Sequence, residues 1–431
     1  MVTMTEFMAA ADPRIVRLRA QMAEHGLSAM VLSSPQNVLY ASGYESTLER
    51  WMQVEPMSAV VVSARAEDPL LLCVPEAMVG LLAVSETRGS ELRVDRVVPF
   101  ELLDFCETAR AIDPHASPGA LETASTAFYA ERVLGPSEDD VIAALARALE
   151  QFGLIGNVGF DDLRVGQSVA HRVSGVSVVD ALNPIMAARI VKTPPEHERF
   201  RQLGKLADAC IQYAAGLLEH GVSWDEVSYR VAEFMIRNDI RPVDEGAMLF
   251  GGSFDDQFIP ELFRTPHEGP LQEGQIVILE TQGIWKGLWI DINRTAVIGN
   301  PTPDFQRLHD QVRGAYEEVV AQVRPGNHTG VLPALGREAL TKRGVSAPEK
   351  LLVIAHGIGH QPLEFPLPFP NQGREGAKGF TLEEGMVISI DMLHFGSEFG
   401  PCHMEDVYII TEDGAELLYA TPHELLGLRS R

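Results

Sequence analysis

Cysteine is scarce in this chain, with four residues in 431. Cys73, Cys106, Cys210 and Cys402 stand far apart and show no CxxC spacing. That distribution argues against a zinc knuckle and against a disulfide framework, and it fits a reducing cytoplasm. Basic residues are also in deficit, 35 Lys plus Arg against 60 Asp plus Glu, for a net charge of −25. Such a surface repels phosphate backbones and anionic membranes, so neither nucleic acid nor a membrane is an expected partner. Two further patterns are missing: an apolar run of ~18 residues, and a basic start followed by an apolar stretch. A soluble protein is therefore expected. The remaining composition, 45% hydrophobic and 22% charged, is that of a globular enzyme, and the length is too great for one core.

Two domains follow, with the boundary at about residue 190. In the first half, Pro13 to Gly26 reads as a helix, because Ile15, Leu18 and Met22 share a face and Gly26 stops it. Ser28 to Leu32, Ala59 to Val62 and Leu70 to Val74 read as strands, Ser33 to Asn37 as a turn, and Asp139 to Gln151 as a helix. The half closes near Asn183 and Pro184. Thr193, ahead of Pro194 and Pro195, caps a long helix to Glu219, and a second helix spans Trp224 to Asn238.

The second half contains an echo. Glu273-Gly274-Gln275-Ile276-Val277-Ile278-Leu279-Glu280 returns as Glu384-Gly385-Met386-Val387-Ile388-Ser389-Ile390-Asp391. Each copy has a Gly turn, an apolar strand and a carboxylate six residues beyond the Gly, which suggests two copies of one supersecondary unit. Each is followed by a second acid across a hairpin. Glu280 and Asp291 pair about Trp285 and Lys286, and Asp391 and Glu405 about Glu398. Opposed carboxylates ~5 Å apart at Cβ repel, most severely beside apolar strands, so a cation is needed to hold them.

His356-Gly357-Ile358-Gly359-His360 ends the apolar run Leu351 to Ala355, where glycines let another group approach the backbone. A lone His there is more often a hydrogen-bonded core residue than a ligand; beside two carboxylate hairpins it reads as a ligand. An oxygen-rich site with one imidazole suits Mn, Co, Fe or Zn, one or two ions, rather than copper. Metal-activated water and a carboxylate such as Glu405 moving its proton would hydrolyse an amide or related bond.

These residues resemble the pita-bread family that includes creatinase, prolidase, aminopeptidase P and methionine aminopeptidase. Nearly the whole chain is similar: Arg17 to Leu27 and Pro35 to Tyr44, then Ile190 to Glu196, Trp285 to Thr295, His356 to Gly359, Met404 to Asp406 and Thr411 to Gly414. The resemblance implies an α/β amino-terminal domain, residues 1–190, followed by an α+β pita-bread catalytic domain with an internal pseudo-two-fold repeat, residues 191–431. It makes Glu280, Asp291, His356, Asp391 and Glu405 the metal-ligand positions, and it implies a homodimer. An alternative register makes His360 the ligand and His356 the upstream histidine. Glu280 and Asp391 exchange the acid lengths usual at their positions, and Leu352 and Leu363 stand where the peptidases have histidines.

His267, after Pro266, resembles the family's active-site Pro-His phrase; with His360 and Glu405 it is expected to act catalytically. Phe254 and Asp255 are expected to line the cleft, His403 to neighbour the ligands and substrate, and Trp51 to reach a neighbouring subunit's cleft. Trp285 and Trp289 are read as sharing one strand face. The expected activity is metal-dependent hydrolysis of a C–N bond in a small substrate, an Xaa-Pro dipeptide or a non-peptide amide. Two other activities of the fold compete with it: lyase chemistry of the dimethylsulfoniopropionate type, in which Gln282 replaces an acidic ligand, and metal-free creatinase-like hydrolysis. A metal-free binding module gains nothing from burying so much like charge.

Overall fold

Ala29–Leu32 is too short for a helix and apolar at every position, the pattern of a strand covered on both faces. In the computed structural model it is β1, near the middle of a six-stranded sheet. The structure describes residues 12–45, 48, 56–87, 92–102, 120–252, 270–367, 379–395 and 397–426, in two compact units, Met1–Arg189 and Ile190–Arg431.

In the first unit β2 (Ala59–Ser63), β3 (Leu71–Pro75), β4 (Arg96–Phe100), β5 (Gly156–Phe160) and β6 (Val176–Asp180) join β1 in the order β4-β3-β2-β1-β5-β6. Met30 and Leu32 pack into one core layer, Ala29 and Val31 into the other. The helix Pro13–His25 is capped by Asp12 and stopped by Gly26 at φ 63°. Ser33 to Asn37 differs from the expected turn. Ser34 precedes Pro35, a start signal for the helix Pro35–Ser42. Asp161 fixes that start by accepting from both serine backbones, both hydroxyls and the Asn37 amide. Likewise Asn183 and Pro184 lie inside a helix, Leu182–Arg189.

The second unit opens with the helix Pro194–Leu217, whose capping box joins Thr193 and Glu196. A second helix, Trp224–Arg237, follows. Its sheet has β7 (Arg241–Gly252), β8 (Ile276–Trp285), β9 (Leu288–Val297), β10 (Leu351–Gly357), β11 (Val387–His394), β12 (Cys402–Ile410) and β13 (Ala415–Leu417). The order is β10-β11-β12-β9-β8-β7, with β13 on β12. It consists of two three-stranded halves meeting at β9 and β12. The first two helices pack on the β7–β9 half, and Pro303–Val320 and Leu332–Lys342 on the β10–β12 half. Neither of these last two helices is among the elements expected from the sequence. Their apolar residues bury the second half's back face, which the strand pattern alone leaves uncovered. No helix among the described residues is long and apolar enough to cross a membrane.

The helix Pro303–Val320 buries His309 with both ring nitrogens lacking a hydrogen-bond partner. Burial lowers its pKa from 6.5 to about 4. The folded pKa lies below the unfolded one, so stability is intact above about 6.5 and is lost as pH falls from there toward about 4. The loss is about 3 kcal/mol over that window. His309→Leu should remove most of this acid sensitivity, measured as the difference between urea midpoints at acid and neutral pH.

Candidate metal centre

Side chains alternate across a strand, so one face of the second sheet gathers Glu280 and Gln282 from β8, Asp291 and Asn293 from β9, and His356 from β10. Ser389 and Asp391 from β11 and His403 and Glu405 from β12 join them. None of the ionisable residues among them is more than 8% exposed. Solvated hairpin charges are thereby excluded.

Asp391 stands directly opposite Glu405, as their spacing requires. The first hairpin differs from the sequence reading: Glu280 faces Asn293, and Gln282 faces Asp291. The turn explains the shift. Lys286 and Gly287, at φ 48° and 78°, are its two central residues, so the pairs centre between them rather than between Trp285 and Lys286. The partner of Glu280 moves by two residues, which keeps the carboxylates on one face. The same turn puts Trp285 opposite Leu288 and Trp289 opposite Ile284, so the two tryptophans take opposite faces. Lys286 spends its charge over the Trp285 ring, 4.5 Å from the centroid, rather than on the acids.

The two halves dress their carboxylates differently. Gln282 Nε2 donates to Glu280 Oε1 at 2.6 Å, and Asn293 Nδ2 to Oε2 at 3.0 Å. In the other half His403 Nε2 is 3.0 Å from Asp391 Oδ1 and His356 Nε2 is 3.4 Å from Oδ2. Ser389 Oγ donates to Glu405 Oε1 at 2.7 Å.

Burial, with neighbouring carboxylates, holds Glu280 above its ordinary range and Asp291 and Glu405 well above theirs. Asp391 goes the other way. Burial opposes its ionisation, but hydrogen bonds from His356 and His403 outweigh that and hold it below the usual range. Burial likewise opposes the His356 imidazolium, and Asp391 outweighs it, raising the pKa.

The residues fit a divalent cation. Donor atoms of Asp291, His356 and Glu405 lie within 4.8 Å of one another, and so do those of Asp391, His403 and Glu405. The buried Asn293 Oδ1 beside them has no hydrogen-bond partner. Carboxylates that resist ionisation together are relieved by a positive ion between them.

His356, not His360, joins the carboxylates. His360 Nδ1 lies 2.9 Å from the Gly287 carbonyl and its Nε2 4.0 Å from Glu196 Oε1. The glycines around them permit close approach, as the sequence suggests. A Cβ on Gly357 would stand 2.2 Å from the Phe365 carbonyl, and one on Gly359 2.6 Å from the Glu364 carboxylate. Glu364 in turn accepts from the His360 and Gln361 backbones and pairs with buried Lys192 at 3.3 Å. Gly357→Ala should therefore displace this loop and lower the melting temperature by several degrees. Leu352 and Leu363 are 46% and 40% exposed, free of the packing that would forbid a polar side chain. Trp51, Phe254, Asp255 and His267 lie outside the described residues. Sequence reasoning did not single out Asn293 or Ser389. The signal was available, since each is two residues from an acid on the same strand.

Comparison with known proteins places the fold in a family. Residues 198–412 match the model of Metallopeptidase family M24, and residues 14–191 the Creatinase/Prolidase N-terminal domain. The chain belongs to metallopeptidase family M24. Within it, the chain is 24% identical over 291 residues to the Xaa-Pro dipeptidase of Pyrococcus furiosus, covering 67% of this chain and 79% of that one. The Xaa-Pro dipeptidase structure from Bacillus anthracis superposes with a TM-score of 0.72 at 18% identity, covering 96% of this chain and 99% of the other. The Pyrococcus horikoshii prolidase gives 0.69 at 18% identity, covering 96% and 100%. These structures share the pita-bread fold. In this chain two imidazoles, His356 and His403, stand against the Asp391 carboxylate.

Proposed function

We propose that the chain is a metal-dependent hydrolase of the C–N bond in a small amide or dipeptide of the Xaa-Pro type. The observation that carries this reading is the convergence of Asp291, His356, Asp391 and Glu405, all buried, on one sheet face. Relatives named Xaa-Pro dipeptidase and prolidase support the substrate class. Glu280, Asp291, His356, Asp391 and Glu405 would hold one or two ions of Mn, Co, Fe or Zn. A divalent ion there polarises a carbonyl oxygen and acidifies water.

The chain's own groups then do the rest. Glu405, one oxygen held by Ser389, accepts and returns the proton of the attacking water. His267 and His360 would act on the substrate, Phe254, Asp255 and His403 would shape the cleft, and Trp51 would reach the cleft of a neighbouring subunit. Gln282 bears on the lyase alternative. It offers an amide where an additional acidic ligand is needed, and it spends that amide on Glu280. Homodimerisation and a cytoplasmic location belong to the same reading.

Metal removal tests it. Dialysis against a chelator should lower hydrolysis of Xaa-Pro dipeptides by roughly 10²-fold or more. Added Mn, Co or Zn should restore it. A chelator-resistant activity in protein without bound metal would overturn the reading.

A further inference from the structure

We propose that His403 is itself a metal ligand. In this proposal Asp391, His403 and Glu405 form a second metal position beside the one formed by Asp291, His356 and Glu405, and Glu405 is common to both. The proposal rests on the reading that this centre binds divalent ions. It departs from the five ligand positions carried over from the family, because it adds an imidazole and releases Glu280.

Three observations carry it. The ligand atoms of Asp391, His403 and Glu405 lie within 4.8 Å of one another, and the three side chains are 7%, 5% and 3% exposed. His403 is also held ready. Its backbone N–H donates to Thr295 Oγ1 at 2.9 Å, and that hydroxyl donates to the His403 carbonyl at 2.9 Å, fixing the β12 backbone from which the ring projects. Third, Glu280 is engaged elsewhere. Both of its oxygens accept amide protons, from Gln282 and Asn293, and it belongs to neither cluster.

The register gives this a structural logic. Glu280 opposite Asn293 and Asp391 opposite Glu405 are the equivalent pairs of the two hairpins. One step along each hairpin, Gln282 opposite Asp291 corresponds to Leu393 opposite His403. The repeat thus surrounds its acids with amides in one half and imidazoles in the other. An amide is a weak ligand for transition metals, and an imidazole a strong one. Each metal position then receives one imidazole and two carboxylates, a donor set that favours Zn, Fe or Co over Mn.

The test uses the full chain loaded with Zn(II) alone, with metal counted by elemental analysis and imidazoles counted by X-ray absorption at the zinc edge. Two ions per chain with about one imidazole per ion are expected. In His403→Gln, checked for folding by circular dichroism, one ion should be lost while the remaining ion keeps its imidazole. Wild-type protein holding two ions with about half an imidazole per ion would overturn the proposal and leave the hydrolase reading standing. So would a His403→Gln chain that still holds both. Wild-type protein that binds no metal would overturn the hydrolase reading and this proposal together. The absorption measurement on wild-type protein decides the matter even where the variant does not fold.

Discussion

Glu405→Gln should abolish hydrolysis, by roughly 10³-fold or more, while making the metal-free protein more stable. The two effects have one cause. Glu405 belongs to both potential ligand clusters, so its charge is the one most needed when an ion is present. With no ion it is buried against Asp291, Asp391 and Glu280, and burial and those neighbours hold its pKa well above the ordinary range. A carboxyl whose folded pKa exceeds the unfolded one costs stability as pH rises through and above the unfolded value, near 4.5. The glutamine keeps an oxygen for Ser389 and loses the repulsion. Urea denaturation of chelated protein at neutral pH should show a gain on the order of 1–3 kcal/mol. With metal restored, only the wild type should be stabilised. A glutamine variant that is less stable without metal would show that repulsion among these carboxylates is not what the site must overcome.

The second large effect is expected at Arg294, on the face of β9 opposite Asp291 and Asn293. β9 and β12 meet at a single registered pair, Asn293 with Glu405, and Arg294 straps that seam. Its Nη1 donates to the carbonyls of Asn293 and Glu405 at 2.8 Å each. Nη2 donates to Asp406 Oδ1 at 2.6 Å and to the Thr421 carbonyl at 2.8 Å, and Nε to the Pro422 carbonyl at 3.0 Å. All five donors are used, and the side chain is 1% exposed. Arg294→Met should cost about 3–5 kcal/mol, because Asp406 loses its guanidinium and keeps only Tyr316 and His423, and four carbonyls lose donors. Arg294→Lys keeps the charge without the planar fork and should recover less than half of that loss. Chemical denaturation of both variants measures it. Equal stability of wild type and Arg294→Met would mean that β9 and β12 are held together by packing alone.

Much of this centre was legible because its signals are local. The Gly-strand-acid echo, the acids eleven and fourteen residues apart, and the His-Gly-Ile-Gly phrase each need only a short window of sequence. What a short window does not determine is the consequence of turn geometry. Gly287 and the positive φ of Lys286 decide that Asn293, not Asp291, faces Glu280. Nor does sequence alone decide between His356 and His360, four residues apart with glycines between. Their separation follows from the Glu364 carboxylate, which captures the His360 backbone from a loop. Pro303–Val320 was hidden for another reason. Its partners are strands more than thirty residues downstream, and the need to cover their back face is visible only once the sheet is assembled.

The Arg294 strap also orders events in time. Its acceptors run from Asn293 to Pro422, and the Tyr419 hydroxyl donates to the Asp291 carbonyl at 2.8 Å. A growing chain that has displayed Glu280 and Asp291 must wait for well over a hundred further residues before the seam can be tied. During synthesis those acids have each other's strands, but neither β11 and β12 nor a counter-ion. Ion capture by the assembled cluster therefore falls after translation has passed Pro422.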